Sequence, residues 1–145
     1  MFRKLTDDYA VAPQISTDLL SAIAEAGYRT LIDNRPDIEV APPEASDAMA
    51  EAARAAGLAF VYNPVSGGML TPENIATQAN AIDASDGPVL AYCRSGNRSS
   101  IVWAFAMAGR LPTDEIIRRV EAAGYPIAQL APQIEAFAAE RGDEA

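Results

Sequence analysis

Apolar residues recur along this chain at two spacings. Runs with strand character fall at 2–5, 9–12, 29–33, 58–62 and 88–92, and between them the apolar positions return every three or four residues, as on one face of a helix. The polar turn Thr6-Asp7-Asp8 makes neighbours of the first two strands. Ser16 or Thr17 can cap a helix whose apolar face is Leu19, Leu20, Ile23 and Ala24, with Gly27 ending it. Arg35-Pro36-Asp37 and Pro42-Pro43 keep the segment after the third strand non-helical. An alanine-rich helix is predicted over 44–56, with Met49, Ala53 and Ala56 on one side and Gly57 as its stop. After the loop 63–68, Thr71-Pro72-Glu73-Asn74 sets a cap, a first-turn proline and an acid in their favoured order, opening a helix through Asp83. Asp86-Gly87 turns into the strand that ends at Tyr92. Further helices are expected from Arg98 or Ser99 to Ala108, closed by Gly109, and from Thr113 to Ala123, closed by Gly124. Leu130, Ile134 and Phe137 mark a last one, and a frayed tail is expected over 141–145.

Strands alternating with helices in such short units predict a single α/β domain over residues 1–140, with a mostly parallel sheet covered on both faces. Half of the residues are hydrophobic, which fits a packed globular core rather than disorder. Twenty Asp and Glu against 11 Lys and Arg give a net charge of -9, which repels nucleic acid backbones and anionic membranes. The first residues reach Asp7 and Asp8 before any long apolar run, and no stretch approaches a membrane span. One cysteine makes no internal disulfide, so the expected setting is a reducing cytoplasm. Histidine is absent, which removes the usual catalytic base and the commonest metal ligand. An enzyme with this composition works with Cys, Arg, carboxylates, hydroxyls and backbone dipoles, and no cofactor or metal is called for.

The only cysteine opens the run Cys93-Arg94-Ser95-Gly96-Asn97-Arg98-Ser99, directly after the strand 88–92 and directly before a helix. Sites in such sheets lie beyond the carboxyl ends of strands, and Cys93 falls there. Two arginines, two serines and a glycine suit a core poorly, whereas an anion would satisfy the arginines. The start of the following helix offers unpaired amides and a positive dipole end to a thiolate. Gly96 lets the backbone turn inward where a side chain would block an anion. Arg98 can clamp two oxygens of a tetrahedral anion with its planar fork. The main chain at Arg94, Ser95, Gly96 and Asn97 would line the cup, with Arg94 also read as a solvent-facing charge that steers anions. Ser99 can donate to the Cys93 sulfur or cap the helix. Asp33, Asp37 or Glu39 could supply a proton from the loop after the third strand; Arg35 and Asp37 could instead pair with each other or brace the cysteine loop.

This loop resembles those of the rhodanese-type sulfurtransferases and the cysteine-dependent protein tyrosine phosphatases. With Ile32-Asp33-Asn34-Arg35-Pro36-Asp37, Tyr62-Asn63-Pro64-Val65 and Gly124-Tyr125, residues 2–138 are most similar to a small bacterial family (DUF442). That family is also found as the phosphatase-like or rhodanese-like domain fused to metallo-β-lactamase-type hydrolases. The resemblance implies a phosphatase-like three-layer α/β fold with four or five central strands. It also implies Cys93, Arg98 and Ser99 as catalytic residues, with Arg94, Ser95, Gly96, Asn97, Arg35 and Asp37 binding substrate. Tyrosine phosphatases space cysteine and arginine by five residues; here Cys93 and Arg98 are separated by four, the rhodanese spacing. Tyr92 stands where the phosphatases carry histidine, and the loop 63–68 lacks the aspartate that would act as their general acid. On these grounds the expected reaction is transfer of sulfane sulfur from thiosulfate or a persulfide through a Cys93 persulfide to an external thiol, with a persulfide dioxygenase as a possible partner. Phosphoester hydrolysis through a cysteinyl-phosphate and a non-catalytic anion-binding module are the alternatives.

Overall fold

The computed structural model describes residues 2–67 and 69–144; Met1, Ala145 and the loop residue Gly68 lie outside it. Five strands, β1 (Arg3–Thr6), β2 (Tyr9–Ala12), β3 (Thr30–Asp33), β4 (Ala59–Tyr62) and β5 (Val89–Tyr92), form one sheet in the order β1-β2-β5-β3-β4. β1 runs antiparallel to β2, and every other pairing is parallel. This is a mixed, mostly parallel sheet with helices on both faces. Strand side chains alternate between those faces. Ala10, Ala12, Leu31, Leu90 and Tyr92 pack with Ile23 of α1 (Leu20–Glu25) and Met49 and Ala53 of α2 (Ser46–Ala55). Val11, Ile32, Val89 and Ala91 pack on the other face with Trp103 of α4 (Asn97–Ala106), Ile116 and Val120 of α5 (Thr113–Ala122) and Ile134 of α6 (Ala131–Glu144). α3 (Pro72–Ala84) joins that second layer, its Ile75 and Ala79 against Val102 and Ala106.

The predicted starts and stops hold with small shifts, each with a local cause. Thr71 and Asn74 form a reciprocal capping box at the start of α3. Gly27, Gly57, Gly109 and Gly124 follow their helices at positive φ. Ser16 makes no cap; a 3₁₀ turn, Thr17–Leu19, precedes α1, and its tighter winding buries Leu20 and Ile23 while Leu19 is exposed. The proline-rich stretch after β3 contains only two 3₁₀ turns, Asp37–Glu39 and Pro42–Glu44. α6 runs through Glu144, past Arg141, whose guanidinium donates to the carbonyls of Phe105, Ala106 and Ala108 and so ties α6 to the end of α4. Among the described residues no helix is long and apolar enough to cross a membrane.

The topology fixes where a site can form. The chain leaving β3 turns toward the α2 layer, and the chain leaving its neighbour β5 turns toward α4, so a crevice opens between their carboxyl ends. Cys93 and Asn34 are the first residues beyond those two ends. The Asn34 amide donates to the carbonyl of Tyr92 and the Cys93 amide to that of Ala12, holding both at the crevice floor.

Candidate active site

Cys93 is fully buried. Its Sγ accepts a hydrogen bond from the Gly96 amide at 3.1 Å. Gly96 is the residue before α4, at φ +96°, a left-handed conformation open to glycine at little cost. A Cβ at this position would also collide with the Tyr125 hydroxyl, which donates to the carbonyl of Ser95 at 3.0 Å. Ser100 binds the Gly96 carbonyl through both its amide and its hydroxyl. The turn is thus held from outside and from behind; of the first-turn amides of α4, that of Asn97 is taken by the Ser95 hydroxyl, and those of Arg98 and Ser99 have no partner among the described residues.

Arg98 is the second residue of the helix, with its side chain mostly buried. Its two terminal nitrogens meet the Glu39 carboxylate at 2.9 and 2.8 Å, and Nη1 also donates to the Val65 carbonyl at 2.8 Å. Arg98 holds the Glu39 carboxyl below its ordinary range, and Glu39 in turn raises the Arg98 pKa. Arg35 braces this pair. Its Nε lies 3.3 Å from Glu39, its Nη2 donates to the Glu39 carbonyl and its Nη1 to Gln14. Arg35 therefore acts on Glu39, one step removed from the cup.

Asp37 turns the other way: both its oxygens accept from Ser46, from the amide and from the hydroxyl, at the start of α2. Arg94 and Asn97 are exposed, and the Ser95 hydroxyl accepts from the Asn97 amide. The Ser99 hydroxyl does not point at the sulfur but donates to Asn34 Oδ1 at 2.9 Å, and the Ser99 carbonyl accepts from the Tyr9 hydroxyl. Ser99 holds the helix start rather than the nucleophile.

Of the three carboxylates proposed as acids, none stands free at the mouth. Glu39 is bound to two arginines. Asp37 caps α2. Asp33 is 2 % exposed and shares the α2 face of the sheet with Leu31, not the Cys93 side; burial pushes its carboxyl up to about 6, against the Arg35 amide that it accepts at 2.9 Å. Beside it lies the buried Tyr92 hydroxyl, whose pKa is raised first by burial and then by the Asp33 charge.

Behind the cup lies a buried network that sequence reasoning missed. Asn34 Nδ2 donates to Gln78 Oε1 and to the Asn63 carbonyl; Gln78 Nε2 donates to Asn34 Oδ1 and to the Tyr9 hydroxyl; Asn63 Nδ2 donates to Gln78 Oε1 and to the Asn74 carbonyl. Asn34, Asn63, Gln78 and Ser99 are all buried, and through them β2, α3, α4 and the ends of β3 and β4 share one set of hydrogen bonds. The signal available in the sequence was Gln78, an amide on the apolar face of a helix.

Residues 1–110 match the family model described as the phosphatase-like domain of beta-lactamase hydrolase-like protein. The beta-lactamase hydrolase-like protein of Xylella fastidiosa (strain 9a5c) is 33% identical over 133 residues, 90% of this chain. The match takes in 31% of that relative, so this chain spans about a third of its length. Among solved structures, a candidate phosphatase of Neisseria meningitidis Z2491 is 32% identical with a TM-score of 0.79, covering 93% of this chain and 96% of that one. A candidate phosphatase of Shewanella putrefaciens CN-32, 17% identical with a TM-score of 0.70 over 99% of this chain and 91% of that one, shares the fold.

Proposed function

The chain belongs to the family of phosphatase-like domains of beta-lactamase hydrolase-like proteins, and from that premise we propose that it is an enzyme whose Cys93 thiolate attacks a small anionic substrate. The observation that carries this is the cup itself: Sγ against the Gly96 amide at the start of α4, with Arg98 in the first turn of the same helix. Arg98 and the main-chain amides of residues 94–98 take the substrate's negative charge, and Arg94 at the rim draws anions toward an otherwise acidic molecule. None of Asp33, Asp37 and Glu39 stands uncommitted at the cup, which favours leaving groups that depart without a proton. For a leaving group that needs one, the loss is typically about two to four orders of magnitude.

The comparisons support phosphoester hydrolysis as the first reading. The thiolate attacks phosphorus, the S–P bond forms as the P–O bond to an aryl or acyl leaving group breaks, and that group leaves as its stable anion. Water then attacks phosphorus, the S–P bond breaks, and orthophosphate and the thiolate are released. A second reading, sulfane sulfur transfer, is favoured by the four-residue spacing of Cys93 and Arg98, which makes a smaller cup, and by the same commitment of the three carboxylates. There the thiolate attacks the outer sulfur of thiosulfate or a persulfide, one S–S bond forms as another breaks, and sulfite or a thiolate departs. With no second cysteine in the chain, the Cys93 persulfide passes its sulfur to an external thiol, and a persulfide dioxygenase could use the product.

Phosphate release from 4-nitrophenyl phosphate, and sulfite release from thiosulfate with cyanide, tested side by side with Cys93→Ser, separate the two. Turnover of the ester that the variant loses supports hydrolysis; turnover of thiosulfate that it loses supports sulfur transfer. Rates equal to the variant's on both substrates end the enzymatic reading. The intact mass of the loaded protein, heavier by one phosphoryl group or by one sulfur atom, gives an independent answer.

A further inference from the structure

A cavity of about 560 Å³ opens beside Arg98 and runs along the flank of α4. Arg98, Ile101 and Phe105 fall at i, i+3 and i+7 and so share one face of that helix. Leu70 and Ile75 face them from the α3 side, and Phe137 of α6 closes the floor edge-on to Phe105, with ring centroids 5.9 Å apart. The hydrogen bond from Arg98 to the Val65 carbonyl joins this groove to the cup, since both residues line it. Glu140 lies one turn of α6 beyond Phe137, toward the end of α4 that Arg141 holds. The wall therefore carries a cation at the cup and an anion at the far end, with apolar side chains between.

We propose that the groove binds the apolar tail of the site's own substrate, so that the enzyme selects single-tailed organic anions, with the anionic head at Cys93 and Arg98 and the tail along Ile101 and Phe105. This rests on the reading of the cup as an anion site. The charge order lets such a molecule lie only one way round, because a negative head at the far end would face Glu140. The volume lies within the range of about 300–1,000 Å³ typical of small-molecule sites, and half-buried Leu70, Ile101, Phe105 and Phe137 line it, with exposed Met69 and Glu140 at its open side. The tail belongs to the leaving group, which suits an aryl ester or an organic persulfide equally.

Titration calorimetry of the full chain with n-alkylphosphonates, from methyl to octyl, reads head and tail separately and needs no turnover. Affinity is expected to rise about threefold for each of the first several methylenes. Ile101→Asp is expected to abolish that rise, with circular dichroism reporting whether it is folded; Leu70→Asp, on the opposite wall, gives the same test should Ile101→Asp unfold. An affinity independent of chain length overturns the groove and leaves the cup reading standing. Octan-1-ol binding as tightly as octylphosphonate, with both lost in Ile101→Asp, supports the groove and overturns the cup reading. A dimer in sedimentation that octylphosphonate dissociates would make a second copy the natural occupant and overturn the proposal.

Discussion

Three of the five N–H groups of Arg98 are taken before any substrate arrives, two by Glu39 and one by Val65. An incoming anion must therefore share the guanidinium or displace a carboxylate that Arg35 holds in place. A lysine supplies charge without the two parallel N–H groups, so Arg98→Lys should lower kcat/KM about a hundredfold in steady-state assays; a loss below threefold would show that the fork is not the anion clamp. Gly96→Ala should melt at a lower temperature, because a left-handed conformation costs a residue with a Cβ about 1–2 kcal/mol and Tyr125 would have to move as well. The turn at Gly96 was legible in the sequence from the lone glycine of the loop, as its positive φ shows. The Glu39 pairing was not, since residues so far apart in the chain meet only through the fold.

Hydrogen bonding behind the cup belongs to the elements rather than to any one side chain. Removing Asn34 or Gln78 leaves buried donors and acceptors unpaired, at about 1–3 kcal/mol for each orphaned group. Because the two residues bond to each other, Asn34→Ala and Gln78→Ala should be less than additive in chemical denaturation. Additive losses would mean that the network does not act as a unit. Most elements could be read in advance because many helix ends carry a local marker, such as the glycines after α2 and α5 or the Thr71 box before α3. The network could not, because asparagines that follow strands look like ordinary turn residues until the sheet brings Asn34 and Asn63 side by side. Asp33 illustrates the same limit: the two-residue period of its strand sends it to the α2 face, although its place in the chain put it among the candidate acids.

For the whole molecule, Asp33 sets a sign on the pH dependence of stability. Its pKa is raised from 3.8 to about 6, so between these values the folded state holds the proton more tightly than the unfolded chain, and stability falls as pH rises through that window. Asp33→Asn can keep the bond from the Arg35 amide and should gain about 3 kcal/mol over the native chain at pH 7, with little gain near pH 4. Calorimetric melting of both proteins across this range checks it; parallel curves would place the carboxylate in a far wetter setting. Glu39 and Asp83, each lowered by an arginine, contribute with the opposite sign, so their support fades in acid. The brace on the cysteine loop has a consequence in time. Tyr125 holds the Ser95 carbonyl, and Arg3 lies over the Tyr125 ring while bonding the Ala123 carbonyl. A ribosome emits Arg3 first, the nucleophile next and Tyr125 last, so every nascent copy passes through an interval in which its sulfur is made but its bracket is not. During synthesis the thiol exists without the turn that will hold it against the Gly96 amide.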